Sequence, residues 1–561
     1  MNRTETAGQT AGHTATSRSD PDQEPAFRAE HTSGWKHKIR VLAGGLLAGL
    51  VAALTMTFVM VVARFTLGLA SPAELIGDRI APTLGIGRFF ELLSRFGGYN
   101  QLKQLGISSV LAGQLIFGTL GGAVYAVVVE RGRAKSPARL WRFGISRRGR
   151  LLAGALVAIA WLVSVVLLWP VLGTNYRGLP PGRASIATAA GLLLGYTSYG
   201  VALMLSYRLL TSRDRMTSSA PLGSEPVGRR AFLAAGAALA LAAGSGALIS
   251  RLYQLATFSY DGTRYEGPDI QAIVPNDAFY VVTKNVVDPS IAKPVWRLEI
   301  GGLVDRSHTY GFAELAALPA VTQETTLTCI SNAVGGGLTS NALWKGVPLR
   351  SLLEAAGPRS GAVEVVLHGA DGYTDTFALE KALEPTTLVV YEMNGEPLPE
   401  RHGYPARVLV PGLYGEKNVK WVTRVELVDH DAKGFYEQQG WGPTFVVQTQ
   451  SRFHGPDLGR PMPAGTPIMF TGTAFAGNRG VARVEVSPDD GQTWHEARFD
   501  SEGPPQSWRL WSYRWLPPRP GEYNLMVRAT DGTGTLQTAK QRGIAPEGAT
   551  GYHRITVRIV A

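Results

Sequence analysis

Four long apolar runs in the first half of the chain constrain its fold more than any other feature. They cover residues 41–69, 108–129, 151–172 and 186–205. Each meets the length of about 20 residues that a helix needs to cross a hydrocarbon core of about 30 Å. Basic flanks on the runs argue against buried helices of a soluble protein, so residues 36–210 are expected to form a four-helix transmembrane bundle. Arg64, near the end of the first run, is expected to snorkel toward the interface.

Flanking charge orients the bundle. Lys36, Lys38 and Arg40 precede the first run. The loop between the second and third carries Arg131, Arg133, Lys135, Arg139, Arg142, Arg147, Arg148 and Arg150, with no acid after Glu130. The loop between the third and fourth has only Arg177 and Arg183, and the first loop mixes signs. The N-terminus and the second loop are therefore expected on the cytoplasmic side. Within the first loop, residues 88–96 read as a short amphipathic helix at the interface. Residues 1–35 are polar and poor in large apolar side chains, which predicts a disordered cytoplasmic tail. The formal net charge of +11 sits mostly beside the apolar runs. It forms no Lys/Arg stripe interleaved with aromatics, so nucleic acid is not an expected partner.

Residues 211–255 differ in kind. Gly228-Arg229-Arg230-Ala231-Phe232-Leu233 opens a weakly hydrophobic Ala/Gly run that resembles an internal twin-arginine export signal. A fifth ordinary span gives the same topology: Arg229 and Arg230 inside, everything after Arg251 outside. The segment is expected to stay uncleaved as an anchor. The ten histidines all fall outside the spans, so the bundle is not expected to ligate haem through histidine. It is left to anchor the chain, dock a quinol or meet a redox partner.

From about residue 256 the composition turns globular. Strands are expected at 296–300, 364–367, 388–391, 406–410 and 420–428, and short helices at 349–356 and 377–383. The mixture lacks a regular βαβ beat, which points to an α+β domain over 256–455 rather than a dinucleotide-binding fold. No phosphate-binding glycine motif follows a strand. Residues 456–561 change again. Runs at 481–486, 509–515, 523–529 and 552–559 alternate between apolar and polar residues around Asp-Gly and Pro-Gly turns, which predicts an all-β immunoglobulin-like sandwich.

Cys329 is the single cysteine. It forms no internal disulfide and cannot by itself build a zinc or iron–sulfur site. A strand-like Thr-Thr-Leu-Thr run delivers it to the start of a Gly-rich loop, where backbone is expected to approach a bulky ligand. Further on, Arg407 lies in an otherwise apolar Ala-Arg-Val-Leu-Val-Pro strand, where a buried anion is its expected partner. His402 and Arg407 flank a Tyr-Pro turn, and Lys420 follows a Gly-containing loop, a basic trio suited to an anionic cofactor.

These residues stand in ordered blocks. Phe279-Tyr-Val-Val-Thr-Lys-Asn285 is followed by Thr328-Cys329-Ile-Ser-Asn and Asn341-Ala-Leu-Trp344-Lys-Gly-Val-Pro-Leu349. Then come Tyr391-Glu-Met-Asn-Gly-Glu-Pro-Leu-Pro399, His402-Gly-Tyr-Pro-Ala-Arg407-Val-Leu-Val-Pro-Gly412, Lys417-Asn418-Val419-Lys420-Trp421 and Val484-Glu-Val-Ser-Pro-Asp-Asp-Gly-Gln-Thr-Trp494. Together they resemble the sulfite-oxidase family of molybdopterin oxidoreductases over a little over half the chain.

The resemblance implies a molybdenum–molybdopterin cofactor, with Cys329 as the metal's thiolate ligand. It assigns cofactor contacts to Thr283, Lys284, Asn285, Asp371, His402, Arg407, Asn418, Val419 and Lys420. Lys284 and Trp344 become candidates for the pocket wall around the reacting atoms, and the sandwich becomes a possible dimerisation module. Asp371 alone also reads as a capped turn.

Departures from the animal and plant sulfite oxidases matter as well. Their arginine pair after the metal cysteine is replaced by Ala333-Val334, their active-site tyrosine by Ala432 and their histidine by Val286. Sulfite is therefore not the expected substrate. The expected activity is two-electron oxygen-atom transfer on another small molecule, outside the cytoplasmic membrane, with electrons exchanged with a separate protein or the quinone pool. The alternative is a non-catalytic membrane protein that keeps the exported domain as a binding module.

Overall fold

A computed structural model describes residues 24–96, 99–133, 147–174, 178–211, 229–255, 270–285, 288–457 and 459–561. Apolar length sets its first half. Helices α1 (Glu24–Leu67), α4 (Tyr99–Arg133), α5 (Arg147–Leu168) and α6 (Pro181–Thr211) contain the four apolar runs, each long and apolar enough to cross a membrane. Between α1 and α4 lie two short helices, α2 (Pro72–Ile80) and α3 (Ile86–Arg95). Helix α7 (Arg229–Leu255) carries the Ala/Gly run, with a shorter apolar core, and lays Ala238 and Leu241 against Val51 and Leu54 of α1.

The close approach of α1 and α4 follows from small residues. Gly45 and Gly49 of α1 meet Gly118 and Gly122 of α4, and a Cβ on Gly122 would overlap the Gly45 carbonyl and the Gly49 backbone. Four-residue spacing of glycine on both helices lets the backbones touch, the usual device of helix pairs in lipid.

Two expectations need correction here. The tail gives way to helix at Glu24, well before residue 36. Pro25 suits a first helical turn and Ala26, Arg28, Ala29 and Glu30 favour helix, so an already nucleated helix propagates through polar sequence. Arg64 does not snorkel. It is buried, its Nε donates to Glu74 Oε1 at 3.1 Å, and its Nη2 reaches the Asp288 carbonyl. Glu74 also closes the capping box of α2 on Ser71, so one carboxylate fixes both the α2 start and the arginine.

The second half begins with strands β1 (Arg297–Gly302), β2 (His308–Gly311), β3 (Val321–Thr328), β4 (Thr339–Pro348) and β5 (Glu364–Gly369). It continues with β6 (Thr374–Ala378), β7 (Leu388–Met393), β8 (Glu396–Pro397), β9 (Arg407–Leu409) and β10 (Val422–Val428). They form two sheets, ordered β2-β1-β10-β5-β6 and β3-β4-β7-β8, with β9 paired to β7. Only β1 and β10 run parallel among these pairs. Helices α8 (Phe312–Ala317), α9 (Leu349–Ala356) and α10 (Leu379–Ala382) complete the unit. The helix expected at 377–383 shrinks to α10 because Phe377 stays in the sheet, paired with Val365.

Strands β11 (Gln450–Gly455), β12 (Met462–Pro463), β13 (Ile468–Phe475), β14 (Val481–Ser487) and β15 (His495–Glu496) open the third unit. Strands β16 (Arg498–Phe499), β17 (Arg509–Trp515), β18 (Gly521–Asp531) and β19 (His553–Val560) close it. Its sheets, β11-β13-β17-β16 and β12-β19-β18-β14-β15, enclose Phe453, Phe470 and Trp511 from one side and Val484, Val527 and Val557 from the other. Alternating burial in β19 is the pattern of a sheet wet on one face.

The β-rich half sits against one end of the helices. Gly178, just before α6, touches Ile291 and Trp296, and Thr174 lies against Gly372. Lys103 Nζ, near the start of α4, donates to the Asn285 carbonyl at 2.5 Å. Thus the α1–α4 and α5–α6 connections both meet the second half.

Candidate active site

The end of β3, at Leu327, and the loop that joins it to β4, with Cys329, Ile330, Ser331 and Leu338, line a cavity of about 840 Å³. β3 ends at Thr328, and Cys329 follows with its backbone N–H held by the Leu338 carbonyl. The thiol is 8% exposed, lines the cavity and lies 3.0 Å from Ser331 Oγ. Burial, then the nearby Glu416 carboxyl, push it up to about 11. A metal at Sγ must therefore displace the proton it binds in exchange for.

The Gly-rich loop after Cys329 serves another purpose than the one expected. Gly335 has φ +74, and a Cβ there would strike the His553 imidazole. Arg452 Nη1 donates to the Gly336 carbonyl. The glycines let the sandwich approach closely and do not line the cavity.

The basic trio converges on that cavity, with one correction. His402 is buried, and its Nε2 donates to the Asn276 carbonyl at 3.0 Å. Burial first, then Arg407 and Lys420, push it down to about 3, so it is a neutral imidazole rather than a third cation. Gly403, at φ +113, lets the next turn bring Arg407 and Lys420 together: a Cβ there would lie 3.1 Å from Arg407 Cβ and 3.2 Å from Lys420 Cα.

Arg407 donates from Nη1 to the His402 carbonyl and from Nη2 to the Asn418 carbonyl, while its buried Nε has no partner. Lys420 Nζ donates to the carbonyls of Val282 and Arg401 and lies 4.4 Å from the centre of the Trp421 ring. Desolvation pushes Arg407 down to about 10 and Lys420 down to about 8.

The first contact block lines the opposite wall. Lys284 Nζ pairs with Asp78 Oδ1 at 2.9 Å and with the Asp371 carbonyl at 3.0 Å. Burial opposes its charge, but Asp78 and Asp371 outweigh it and hold the ammonium above its ordinary pKa. Asn285 Nδ2 donates to Asp371 Oδ2, which leaves Asn285 Oδ1 buried without a donor. Thr283 Oγ1 donates to Asp288 Oδ1. Asp371 Oδ1 also accepts the Tyr373 N–H, a capped turn in the cavity wall.

Asn418 spends its amide on the Tyr414 carbonyl and the Val410 N–H, so its side chain braces the loop. Val419 is buried at the wall, and its carbonyl accepts the Val408 N–H.

Trp344 is not in the wall. It is fully buried in β4, donates from Nε1 to the Thr325 carbonyl, and supports the Arg407 guanidinium 5.3 Å above its ring. Strand alternation turns it into the core behind the site. Of the departures from sulfite oxidases, Ala333, Val334 and Ala432 all lie off the cavity, and Val286 lies outside the described residues.

Two features escaped the sequence reading. Glu416 lines the cavity, and both its oxygens are buried without a partner. The amides of Glu416 and Ile330 lie close without reaching hydrogen-bond geometry. Burial, then Asp375, push Glu416 up to about 8, so it holds a proton at neutral pH. The second feature is α2 to α4, which supply a whole wall, Asp78 included. Nothing local in sequence marked either one: Gly415-Glu-Lys-Asn418 reads as an ordinary polar loop.

The residues fit a pyranopterin cofactor. Two buried cations whose hydrogen bonds go to carbonyls, with Arg407 Nε unpaired among the described residues, are the complement of a phosphate. Asn285 Oδ1 is an acceptor awaiting a ring N–H. Cys329 supplies one sulfur, and among the described residues no cluster of His, Cys, Asp and Glu offers an all-protein metal cage.

Comparison with known proteins agrees. Residues 285–436 match the family model described as oxidoreductase molybdopterin binding domain, and residues 448–560 match the Mo-co oxidoreductase dimerisation domain. The chain is 30% identical to mitochondrial sulfite oxidase of Drosophila melanogaster over 52% of its own length and 60% of that protein's. It is 30% identical to sulfite oxidase of Gallus gallus over 47% of its own length and 68% of that protein's. It is similar to the crystal structure of the sulfane dehydrogenase SoxCD from Paracoccus pantotrophus, with TM-score 0.46 and 25% identity over 52% of this chain and 84% of that one.

The fold and its cavity thus define a molybdenum-dependent oxidoreductase that uses molybdopterin. The chain belongs to the sulfite-oxidase family.

Proposed function

We propose that this chain is a membrane-anchored oxidoreductase whose active site faces the extracytoplasmic side and carries out oxygen-atom transfer on a small substrate other than sulfite. The cavity carries the reading: Cys329 shares it with Arg407 and Lys420, two buried cations whose hydrogen bonds go to backbone carbonyls. When bound, the cofactor supplies a two-electron couple and an oxygen-transfer centre. Cys329 is its thiolate ligand, Arg407 and Lys420 grip its anionic end, and Asn285 and His402 orient its ring. Trp344 holds Arg407 from behind, and α2 to α4 keep bulk water from the site.

Sidedness is supported by charge and contact together. The β-rich half meets the α1–α4 and α5–α6 connections, whereas the basic 131–150 stretch joins α4 to α5 at the other ends of those helices. The packing of α7 on α1 supports an anchor that stays in place rather than a cleaved leader. We read the two-sheet unit as immunoglobulin-like and as the homodimer contact, in keeping with the dimerisation domain it matches. The relatives' oxidation of sulfite is not carried over, because an arginine pair and a tyrosine of those enzymes are absent here.

The test is the molybdenum and pterin content of the full chain made in a cofactor-producing host, beside Cys329→Ser. Near-stoichiometric metal is expected, with an absorption spectrum altered by the serine and no sulfite-dependent bleaching. Folded protein with neither metal nor pterin overturns the proposal.

A further inference from the structure

The cavity has two chemically different ends. One end holds Cys329, Arg407 and Lys420. The other is walled by Ile80, Leu84, Phe89, Leu102, Ile107 and Val110, all from α2 to α4 or their connection. At about 840 Å³ the space lies near the top of the range of roughly 300–1,000 Å³ for small-molecule sites, enough for more than one occupant.

The apolar end also has a defined height. The second apolar span begins at Gln101, so Leu102, Ile107 and Val110 lie in its first turns, at the end of α4 that meets the β-rich half through Lys103. Ile80 is 49% exposed beside it, so this end opens outward rather than closing into a core.

One polar group marks the junction of the two ends. Asp78 Oδ1 is held by Lys284, while Asp78 Oδ2 is buried in the cavity wall with no hydrogen-bond partner. It is an acceptor waiting for a donor, which is costly to leave unmet.

Each oxygen-atom transfer moves two electrons and two protons overall, and a hydroquinone/quinone pair is a partner that carries both. We infer that this apolar arm binds a bilayer-borne hydroquinone, whose ring and tail lie against α3 and α4 and whose hydroxyl donates to Asp78 Oδ2. The inference names the electron partner of the oxidoreductase proposed above and rests on that reading.

The reaction balances as XO + QH2 giving X + Q + H2O. The hydroquinone loses two O–H protons and two electrons to become the quinone. The substrate oxide takes up those two protons and two electrons and gives up its oxygen as water; the bound cofactor would supply the two-electron couple between them. The reverse direction uses the same site with quinone as oxidant.

The test uses the full, cofactor-loaded chain in lipid nanodiscs, with Asp78→Asn and Ile107→Trp beside it. Cofactor absorbance is followed anaerobically after mixing with a decyl-hydroquinone or with a water-soluble reduced viologen. Re-oxidation of dithionite-reduced protein by the decyl-quinone is followed in parallel. Hydroquinone or quinone should react in the unaltered chain, and the quinone-to-viologen rate ratio should fall at least tenfold in both variants. A photoreactive azidoquinone should label peptides from residues 99–110 and lose that label in Ile107→Trp.

Viologen reduction with no response to either quinone species overturns the inference, as does labelling of that stretch by a photoreactive phospholipid but not by the azidoquinone. Absence of cofactor from the unaltered chain instead overturns the oxidoreductase reading. The labelling arm is independent of it.

Discussion

Arg407 is a buried cation whose guanidinium touches two backbone carbonyls and a tryptophan face. Such a group costs stability until an anion arrives. Arg407→Met should therefore raise the unfolding free energy of the cofactor-free chain by roughly 1–3 kcal/mol while cutting retained molybdenum at least tenfold. Denaturant midpoints of apo protein and metal analysis of loaded protein read the two effects separately. A loss in both would show that the arginine serves the fold. Sequence exposed this residue because a charge inside an apolar strand needs an explanation. Cys329 was exposed in the same way by being alone. The protonation of His402, the turn of Trp344 into the core and the burial of Glu416 were hidden, because each depends on which neighbours surround the side chain in space. Residue type predicted a basic trio; enclosure converted one member into a neutral acceptor.

At the scale of elements, the unexpected part is the α2–α3 connection. Its amphipathic helix was legible at 88–96 and appears as α3 (Ile86–Arg95). That its neighbours roof the cavity was not, since Asp78 and Lys284 are brought together only by the fold. Lys284→Met should strand the Asp78 carboxylate in a buried site and cost roughly 3–5 kcal/mol, and adding Asp78→Asn should return at least half of it. Thermal midpoints of the two single variants and the double variant test this coupling, and simple additivity would refute it.

A second junction joins the sandwich to the Cys329 hairpin. The Phe453 N–H donates to His553 Nδ1 at 3.0 Å, which requires that nitrogen to be unprotonated. Burial, then Arg452, push His553 down to about 4, and burial likewise holds its neighbour His454 well below the ordinary imidazole value. Both imidazoles are neutral in the fold and take up protons when it unfolds. Their stability contribution is thus complete above pH 6.5 and is lost as pH falls toward about 4. Unfolding by denaturant should show a decline of roughly 1–3 kcal/mol over that window, shallower in His553→Gln. An equal slope in the variant would assign the acid sensitivity elsewhere.

For the whole molecule, the order of units and the likeness of the second half to a known family were legible, because apolar length, charge asymmetry and ordered motif blocks are properties of sequence alone. The joining of the halves was not legible, because no local pattern encodes a contact between residues such as Lys103 and Asn285. That contact changes what the helices are for. A simple anchor would be dispensable to the cofactor, and a fragment of residues 270–561 would hold it as well as the full chain. Here the fragment would lose Asp78 from Lys284, Lys103 from the 283–285 block and the apolar wall above the Cys329 cavity. Water would reach Arg407 and Lys420, weaken their hold on an anion and open a path for release. The fragment should thus retain at least tenfold less molybdenum than the full chain after equal dialysis, and its Lys284 should become accessible to amine-modifying reagents. Equal retention would mean that the family domain closes its own cavity and that the helices only tether it.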